Sequence, residues 1–353
     1  MTHHRTDDLR IAKINPLISP SILADYLPIN EKVSELVATK RNQIEDILKG
    51  EDDRLLAVVG PCSIHDPDAA LAYADKLKSE ADRLEDDILI VMRVYFEKPR
   101  TTLGWKGLIN DPDIDNSFDI NRGLRVARGL LLKLAEMGMP SATEFLDTIS
   151  PQYIADLICW GAIGARTTEC QLHRELASGL SMPVGFKNGT GGSIQISLDA
   201  ILSASHPHHF LSVTKQGVSA IVSTTGNQSC HIIMRGGKNG PNYDEKSIAE
   251  AATMLREQGL PESLMVDCSH GNSMKDYRNQ PMVARDLAHQ ISGGSTVITS
   301  VMIESNLVEG NQKLGDLKDL TYGQSITDAC LGWDETVDVL DILADAVRKR
   351  RAL

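Results

Sequence analysis

From residue 51 onwards, short apolar segments alternate along the chain with segments of amphipathic helical spacing. Residues 55–59 form an apolar run that ends at Gly60-Pro61, and residues 68–84 then place apolar side chains at helical spacing with a charged outer face. A run followed by such a helix predicts one β/α unit. Further runs of strand length predict strands at residues 88–95, 140–145, 162–166, 183–187, 231–235, 264–267 and 296–303.

Helical spacing fills most of the intervals between the predicted strands. The predicted helices lie at residues 121–137, 150–160, 173–180, 193–204, 247–258 and 280–291, with a closing helix at 336–350. Strands that alternate with helices indicate a parallel sheet, and eight such units favour a closed (β/α)8 barrel. An open, doubly wound sheet is the alternative, but the first predicted strand lacks the G-x-G-x-x-G turn that would support it.

Two segments fall outside the eight-unit pattern. Residues 1–50 contain an acidic start, three prolines that break regular structure and a helical stretch at 31–48. Residues 210–225 alternate as a β-hairpin does, with Lys215-Gln216-Gly217 as the turn. The predicted organisation is therefore an N-terminal extension at 1–50 and a barrel at 51–353 that carries an inserted hairpin.

The composition is that of an ordinary globular protein, with 42% hydrophobic and 24% charged residues. The formal net charge of −12 argues against a nucleic-acid partner, because a phosphate backbone requires a basic surface. No apolar stretch approaches the roughly 20 residues of a membrane helix, and the start MTHHRTDDLR lacks the apolar core of a signal peptide. The six cysteines form no CxxC pair. We therefore expect a cytoplasmic protein with no membrane partner.

Charged or metal-ligating residues follow all eight predicted strands. In a (β/α)8 barrel the carboxyl ends of the strands converge on one mouth, where catalytic groups lie. The residues at or just after these ends are Cys62, Arg93, Glu144, Arg166, Lys187, Arg235, His270 and Glu304, and Lys98 and Arg100 lie on the loop after the second strand. A charged residue after any single strand can reflect a solvated loop alone, but such residues after every strand favour a functional mouth.

The residues of this mouth fall into two chemical groups. The arginine and lysine side chains could hold two phosphates, or a phosphate and a carboxylate, because arginine forms bidentate contacts and lysine is a point charge. Cys62, His270 and Glu304 offer sulfur, nitrogen and oxygen ligands, which suit Mn, Fe, Co, Zn or Cu. The pattern predicts a metal-dependent barrel enzyme that binds a phosphorylated substrate.

Long motifs at these positions give the chain a resemblance to a known family. They are GPCSIHD, MRVYFEKPRTTLGWKGLINDP, GAIGARTTE, PVGFKNGT, HIIMRGGK, VDCSHGNS, MIESNLVEGNQ and YGQSITDACLGW. Over nearly its whole length the chain resembles the microbial type I, feedback-regulated 3-deoxy-D-arabino-heptulosonate 7-phosphate synthases. The resemblance implies an enzyme that condenses phosphoenolpyruvate, erythrose 4-phosphate and water, with release of phosphate, in the first step of the shikimate pathway.

The resemblance also implies a role for each residue of the mouth. One divalent metal ion per subunit would be held by Cys62, His270, Glu304 and Asp328, the last of which lies beyond the predicted strand ends. Phosphoenolpyruvate would contact Arg93, Lys98, Arg166, Lys187 and Arg235, and erythrose 4-phosphate would contact Arg100 and Thr101. Catalysis would involve Lys98, Glu144, Cys62 and His270; Glu144 would lie near the reacting water, and our hypothesis makes Lys98 the proton donor to the new alkoxide.

The family divides into forms that are inhibited by phenylalanine, tyrosine or tryptophan. The segments HHRTDDLRIAKI and HFLSVTKQGVSAIV are most similar to the phenylalanine-sensitive form, so phenylalanine is the expected inhibitor. Tyrosine is the alternative, because VDCSHGNSMKDY is more similar to the tyrosine-sensitive form. The resemblance places the inhibitor at Asp7, Asp8, Pro151, Gln152, Leu176, Leu180, Ser181, Phe210, Ser212 and Val222. It also implies a homotetramer built as a pair of dimers, with the extension at 1–50 serving regulation and assembly.

Two other functions stay open on the sequence. One is a related barrel enzyme that acts on phosphoenolpyruvate, such as 3-deoxy-octulosonate 8-phosphate synthase, whose aldose substrate is arabinose 5-phosphate. The other is a non-catalytic sensor of aromatic amino acids that retains the barrel. The presence of all four implied metal ligands argues against the sensor.

Overall fold

The structure, a computed structural model, describes residues 4–315 and 317–353. The strands of this part, numbered β1 to β12 along the chain, are Leu55–Gly60, Ile88–Arg93, Ser141–Glu144, Trp160–Ile163, Val184–Lys187, His209–Val213, Ser219–Ser223, Cys230–Met234, Leu264–Asp267, Ile298–Glu304, Val308–Asn311 and Gln324–Ser325. The α-helices, numbered α1 to α10, are Pro20–Tyr26, Glu31–Lys49, Pro67–Arg83, Ile120–Glu136, Pro151–Ile154, Gln171–Ser178, Gln195–Ala204, Glu245–Glu257, Gln280–Ser292 and Trp333–Arg351.

Eight parallel strands close into a barrel in the spatial order β1-β10-β9-β8-β5-β4-β3-β2. Strand β1 pairs with β2 on one side and with β10 on the other, so the sheet has no open edge. This closure confirms the (β/α)8 prediction and excludes the open sheet. Among the helices of the described residues, none combines the length and the apolarity required to traverse a bilayer.

The side chains of β1 alternate between the barrel interior and the surrounding helices. Leu56 and Val58 belong to the inner apolar cluster, whereas Leu55 and Ala57 pack in the outer cluster with helix residues. Ile44 of α2 belongs to the inner cluster as well. Helix α2 therefore covers the amino end of the barrel, which leaves the carboxyl end as the mouth.

The residues at which α2 begins and ends are set by capping signals. Its first turn is capped by Asn30, whose Oδ1 accepts a hydrogen bond from the Val33 amide at 2.9 Å. It ends at Gly50, which adopts the left-handed conformation with φ of 76°. The capped segment matches the helix predicted at 31–48.

The inserted hairpin consists of β6 and β7, which pair antiparallel outside the barrel sheet. The Thr214 amide donates to the Val218 carbonyl at 2.9 Å, so residues 215–217 form the loop, as predicted. Gly217 has φ of 79°, the left-handed conformation that closes a three-residue hairpin loop.

The segment around Trp160 differs from the prediction. The helix predicted at 150–160 is only α5 followed by a 3₁₀ turn, Ala155–Leu157, and β4 begins at Trp160 rather than at residue 162. Trp160 is fully buried in the barrel, and its Nε1 donates to His231 Nε2 at 3.2 Å. Burial lowers the pKa of His231 to about 4, so the neutral ring accepts this bond. Because this packing places Trp160 in the strand, β4 begins and ends earlier than predicted. Arg166 therefore lies on the loop after β4.

Candidate active site

A cavity of about 440 Å³ opens at the carboxyl ends of the barrel strands. Its cationic lining residues are Arg93, Lys98, Arg100, Arg166, Lys187, Arg235 and Lys275, and its carboxylates are Glu144, Glu304 and Asp328. His270 also lines it. Although the chain has a net charge of −12, cations therefore outnumber carboxylates in this cavity. Such an arrangement concentrates a positive potential on a bound anion.

The residues predicted as metal ligands lie on one side of the cavity. One ligand atom each of Cys62, Glu304 and Asp328 lies within 4.8 Å of the others. Because each ligand atom lies about 2.0–2.3 Å from its metal, atoms that share one ion are at most about 4.6 Å apart, so this group would need to contract only slightly to hold one ion. Nε2 of His270 lies 3.8 Å from Glu304 Oε1. Sulfur, imidazole and carboxylate donors together suit a divalent transition metal.

Cys62 and Asp328 reach this group from distant parts of the chain. A Cβ atom on Gly60 would lie 2.7 Å from the Arg93 carbonyl oxygen, so glycine is required where the chain turns towards Cys62. Asp328 follows β12, and its loop is held by paired backbone hydrogen bonds of 2.8 and 3.1 Å between Gly310 of β11 and Cys330. The Leu331 amide, which donates to the Glu304 carbonyl at 2.9 Å, ties the same loop to the barrel. The position of Asp328 depends on this returning loop and not on a barrel strand.

The Cys62 sulfur is fully buried between a cation and a carboxylate. Its Sγ accepts a hydrogen bond from Lys98 Nζ at 3.1 Å and donates to Asp328 Oδ2 at 3.5 Å. Burial raises the pKa of Cys62, and the Glu304 carboxylate raises it further. A metal ion that binds the sulfur must therefore displace its proton.

Asp267, the last residue of β9, joins the metal-ligand side of the cavity to its cationic side. Its Oδ2 accepts hydrogen bonds from Lys187 Nζ at 3.1 Å and from His270 Nδ1 at 2.8 Å. Burial would raise the pKa of Asp267, but His270 and Lys187 hold it well below its usual range. Because Nδ1 of His270 is engaged, its Nε2 is the nitrogen available to a metal.

Arg93 is buried beneath the cavity and is tied to Glu304. Its guanidinium donates to Glu304 Oε1 at 2.8 Å and to the Pro61 carbonyl at 3.1 Å, and it lies 3.6 Å from the centre of the Tyr95 ring. Burial would lower the pKa of Arg93, but Tyr95 and Glu304 raise it. The side chain is therefore a fixed cation beside the metal-ligand group.

Lys98 and Glu144 are two further charged side chains that line the cavity. Burial would lower the pKa of Lys98, but the Cys62 sulfur and the Glu304 carboxylate raise it, so the side chain is an ammonium. The Glu144 carboxylate has no hydrogen-bond partner among residues 4–315 and 317–353 and faces the cavity. A Cβ atom on Gly164 would lie 2.5 Å from Glu144 Oε1, so a glycine makes room for this carboxylate.

The remaining predicted substrate residues lie towards the outside of the mouth. Arg166 is exposed on the loop after β4, and the Arg235 amide donates to Asn188 Oδ1 at 2.7 Å. Arg100 is exposed, and its Nε donates to the Trp105 carbonyl at 2.7 Å. Thr101 is exposed and does not line the cavity. The structure thus brings together every predicted substrate residue except Thr101.

A second cavity, of about 660 Å³, lies between α2, α5, α6 and the hairpin. Eight residues of the predicted inhibitor site line it: Pro151, Gln152, Leu176, Leu180, Ser181, Phe210, Ser212 and Val222. Arg41, Asp156 and Lys215 supply charged groups to its wall. The cavity therefore offers both an apolar surface and charged groups of both signs.

Asp7 and Asp8, the other two residues of the predicted inhibitor site, do not line this cavity. Both are exposed, and the Arg5 guanidinium donates to their backbone carbonyls at 3.1 and 3.2 Å. Within a single chain they are separate from the other eight residues.

Sequence reasoning missed three kinds of functional residue. Asp267 ends a predicted strand, so its position was a usable signal, but His270 was assigned to that strand instead. Lys275 follows His270 by five positions and lines the same cavity. The charged residues of the second cavity, among them Asp156 and Lys215, lie on separate elements and have no shared sequence signal.

Comparison with known proteins gives consistent results over the whole chain. The DAHP synthetase I family profile matches residues 29–341. The chain is 58% identical over 349 residues to the Phe-sensitive phospho-2-dehydro-3-deoxyheptonate aldolase of Escherichia coli (strain K12), covering 99% of each protein. It is 52% identical over 349 residues to the tyrosine-inhibited phospho-2-dehydro-3-deoxyheptonate aldolase of Schizosaccharomyces pombe, covering 98% of this chain and 94% of that protein.

A solved structure is similar in both fold and sequence. The phospho-2-dehydro-3-deoxyheptonate aldolase from Francisella tularensis SCHU S4 superposes with a TM-score of 0.95 at 55% sequence identity. The match covers 97% of this chain and 100% of that chain. The two chains therefore share one fold over almost their whole length.

Proposed function

The chain belongs to the DAHP synthetase I family, and on that basis we propose that it condenses phosphoenolpyruvate, erythrose 4-phosphate and water to 3-deoxy-D-arabino-heptulosonate 7-phosphate and phosphate. This is the first step of the biosynthesis of aromatic amino acids. The observation that carries the proposal is one cavity in which a metal-ligand group lies beside a set of cations. The two substrates together carry two phosphates and the carboxylate of phosphoenolpyruvate, and binding these anionic groups requires several cations.

The cations of the cavity suit phosphoenolpyruvate. Arg166, Lys187 and Arg235 come from the loops or ends of β4, β5 and β8, which are neighbours in the barrel. Arginine can bind a phosphate or carboxylate in a bidentate manner, and Lys187 adds a point charge. We assign phosphoenolpyruvate to these three residues together with Arg93 and Lys98, which lie towards the metal-ligand group.

Cys62, His270, Glu304 and Asp328 would hold one divalent metal ion, which we take to be Mn, Fe, Co, Zn or Cu. When bound, the ion supplies Lewis-acid polarisation to the aldehyde of the sugar phosphate. The protein holds these donors in place through Asp267 on His270 and through Arg93 on Glu304.

The reaction forms a carbon–carbon bond and then releases phosphate. The enol carbon of phosphoenolpyruvate attacks the aldehyde carbon, and Lys98, held as an ammonium, donates a proton to the resulting alkoxide oxygen. Water adds at the carbon that bears the phosphate, and the phosphate leaves with cleavage of its carbon–oxygen bond. The Glu144 carboxylate, which lines the cavity and has no hydrogen-bond partner among the described residues, would orient this water.

A turnover assay tests the proposed function. Purified protein is stripped of metal, reloaded with each candidate ion, and assayed for phosphate release from phosphoenolpyruvate with either erythrose 4-phosphate or arabinose 5-phosphate. We expect turnover with erythrose 4-phosphate and recovery of activity with a divalent metal. Preference for arabinose 5-phosphate would instead identify the related octulosonate enzyme, and absence of turnover with either would support the sensor.

We propose phenylalanine as the feedback inhibitor and the second cavity as its site. Leu176, Leu180, Phe210 and Val222 provide an apolar surface for an aromatic ring. Asp156 supplies a carboxylate there that can attract an ammonium group, although Arg128 already donates to it at 2.7 Å. Tyrosine is the alternative, and comparison of the two inhibitors in the same assay distinguishes them.

Replacing Val222 by glutamate should weaken inhibition by phenylalanine without loss of uninhibited turnover. The added carboxylate would occupy the apolar side of the second cavity. Binding of an aromatic ring there would remove the water that solvates the carboxylate, which costs free energy. The inhibitor concentration that halves activity should rise at least about tenfold, which corresponds to 1.4 kcal/mol. Ser219→Glu, on the same strand but outside the cavity, is the matched control, and phenylalanine should inhibit it as it inhibits the wild type. If phenylalanine inhibits Val222→Glu as strongly as the wild type, the second cavity is not the inhibitor site.

We propose that the chain assembles as a homotetramer and that Asp7 and Asp8 act at the cavity of a neighbouring subunit. The hairpin exposes a cross-strand apolar pair, Leu211 at 86% and Ile221 at 75%, and the extension exposes Ile14 at 78%. Apolar surface of this kind marks contacts between proteins. Neither aspartate lines the cavity of its own chain, and this supports the assignment to a neighbour.

A further inference from the structure

Lys275 is a cation of the active-site cavity that has no partner within the part of the chain that the structure describes. Its side chain is exposed at the mouth and forms neither a hydrogen bond nor an ion pair with the described residues. By contrast, Lys187 is paired with Asp267 at 3.1 Å, and Arg93 is paired with Glu304 at 2.8 Å. The positive charge of Lys275 is therefore available to a bound anion.

The strand order places Lys275 and Arg100 on opposite flanks of the metal-ligand group. Strands β2, β1, β10 and β9 are consecutive neighbours in the barrel. Cys62 follows β1 and Glu304 ends β10, while Arg100 lies on the loop after β2 and Lys275 on the loop after β9. The cations assigned to phosphoenolpyruvate on β4, β5 and β8 lie on the other side of the barrel. An aldose phosphate over Cys62 and Glu304 thus lies between Arg100 and Lys275.

The loop that carries Lys275 is held in an unfavourable backbone conformation. Met274 and Lys275 have φ of 55° and 64°, the left-handed region that side chains other than glycine rarely adopt. Met274 is 63% exposed, so packing of its side chain does not account for this conformation. The Lys275 amide donates to the His270 carbonyl at 2.8 Å, which ties the loop to a residue of the metal-ligand group. Strain of this kind is characteristic of binding sites.

We propose that Lys275 is a substrate-binding residue that contacts the phosphate of erythrose 4-phosphate together with Arg100. This assignment rests on the proposed function and adds to it a residue for the second substrate. A phosphate dianion requires more than one cation, and Thr101, the other residue assigned to this phosphate, lies outside the cavity lining. Lys275 supplies the second charge from the opposite flank.

Steady-state kinetics of the metal-loaded enzyme test this assignment. Lys275→Met should raise the KM for erythrose 4-phosphate about tenfold, because one charge-assisted contact is lost, while kcat and the KM for phosphoenolpyruvate change less than about twofold. Lys275→Arg, which keeps the charge, should stay close to the wild type. Lys275→Asn, which tolerates the left-handed conformation, should behave as Lys275→Met does, and this separates charge from backbone strain.

Lys238→Met is the matched control, because Lys238 is an exposed lysine on a neighbouring loop that does not line the cavity. It should leave both KM values unchanged. An unchanged KM for erythrose 4-phosphate in Lys275→Met, or an equal rise in both KM values, would overturn the assignment while the proposed function stands. A wild-type enzyme that does not turn over erythrose 4-phosphate would refute the proposed function and this assignment with it.

Discussion

Replacing Cys62 by alanine is expected to abolish metal binding and to lower turnover about 10³-fold or more, since a bound metal contributes several kcal/mol of transition-state stabilisation. The Cys62 sulfur lies within 4.8 Å of ligand atoms of Glu304 and Asp328, and it is the soft donor of that group. Without it, two carboxylates and one imidazole remain. Metal content per chain after dialysis and the rate of phosphate release together measure the effect.

The fold of the Cys62→Ala variant should persist, because the barrel core does not depend on this side chain. Cys170 lies outside the cavity, before α6, and Cys170→Ala is the matched control. The control should keep its metal and its activity. A Cys62→Ala variant that retains one metal ion and metal-dependent turnover would refute the role of Cys62 as a ligand.

Replacing Lys98 by methionine is expected to lower kcat about 10²–10⁴-fold, the range of general acid catalysis, with a much smaller effect on the KM values. Lys98 Nζ lies 3.1 Å from the Cys62 sulfur, and negative neighbours raise the pKa of the side chain. It is therefore a protonated donor beside Cys62, one of the proposed metal ligands. Methionine has a similar length and no proton to donate.

Lys106→Met is the matched control for Lys98, since Lys106 lies on the same loop, is exposed and does not line the cavity. Its kcat should equal that of the wild type. Metal content of both variants should be measured, so that loss of turnover is not confused with loss of metal. Equal losses in kcat and in substrate affinity for Lys98→Met would argue against proton donation and for a binding role.

The barrel could be predicted because buried parallel strands carry a strong local signal. A barrel strand is buried on both faces, by helices outside and by side chains inside, so it is a short apolar run in the sequence. In each amphipathic helix the apolar residues recur with the helical period of about 3.6 residues. The segment at residues 150–166 is the exception. Trp160 enters β4 because its ring fills the barrel interior against His231, and that contact joins residues 71 positions apart.

Part of the candidate site could be predicted, because the ends of the strands are also recognisable locally in the sequence. Residues at strand ends converge in any such barrel, so Cys62, Arg93 and Lys187 could be placed at the mouth without a structure. Asp328 could not be placed in this way, because it reaches the mouth on a loop held by the pairing of Gly310 with Cys330. The family resemblance named it, and the structure brings it to the other ligands.

The closed barrel, the hairpin and the set of charged groups at the mouth follow from the amino-acid sequence, because periodicity and strand ends are local properties of the chain. Which of these groups are partners depends on the folded structure. Asp267 contacts both Lys187 and His270, whereas the Lys275 side chain has no partner among residues 4–315 and 317–353, and eight residues from several elements line the second cavity. These relations depend on the closure of the barrel and on loop packing, which join residues that are distant along the chain.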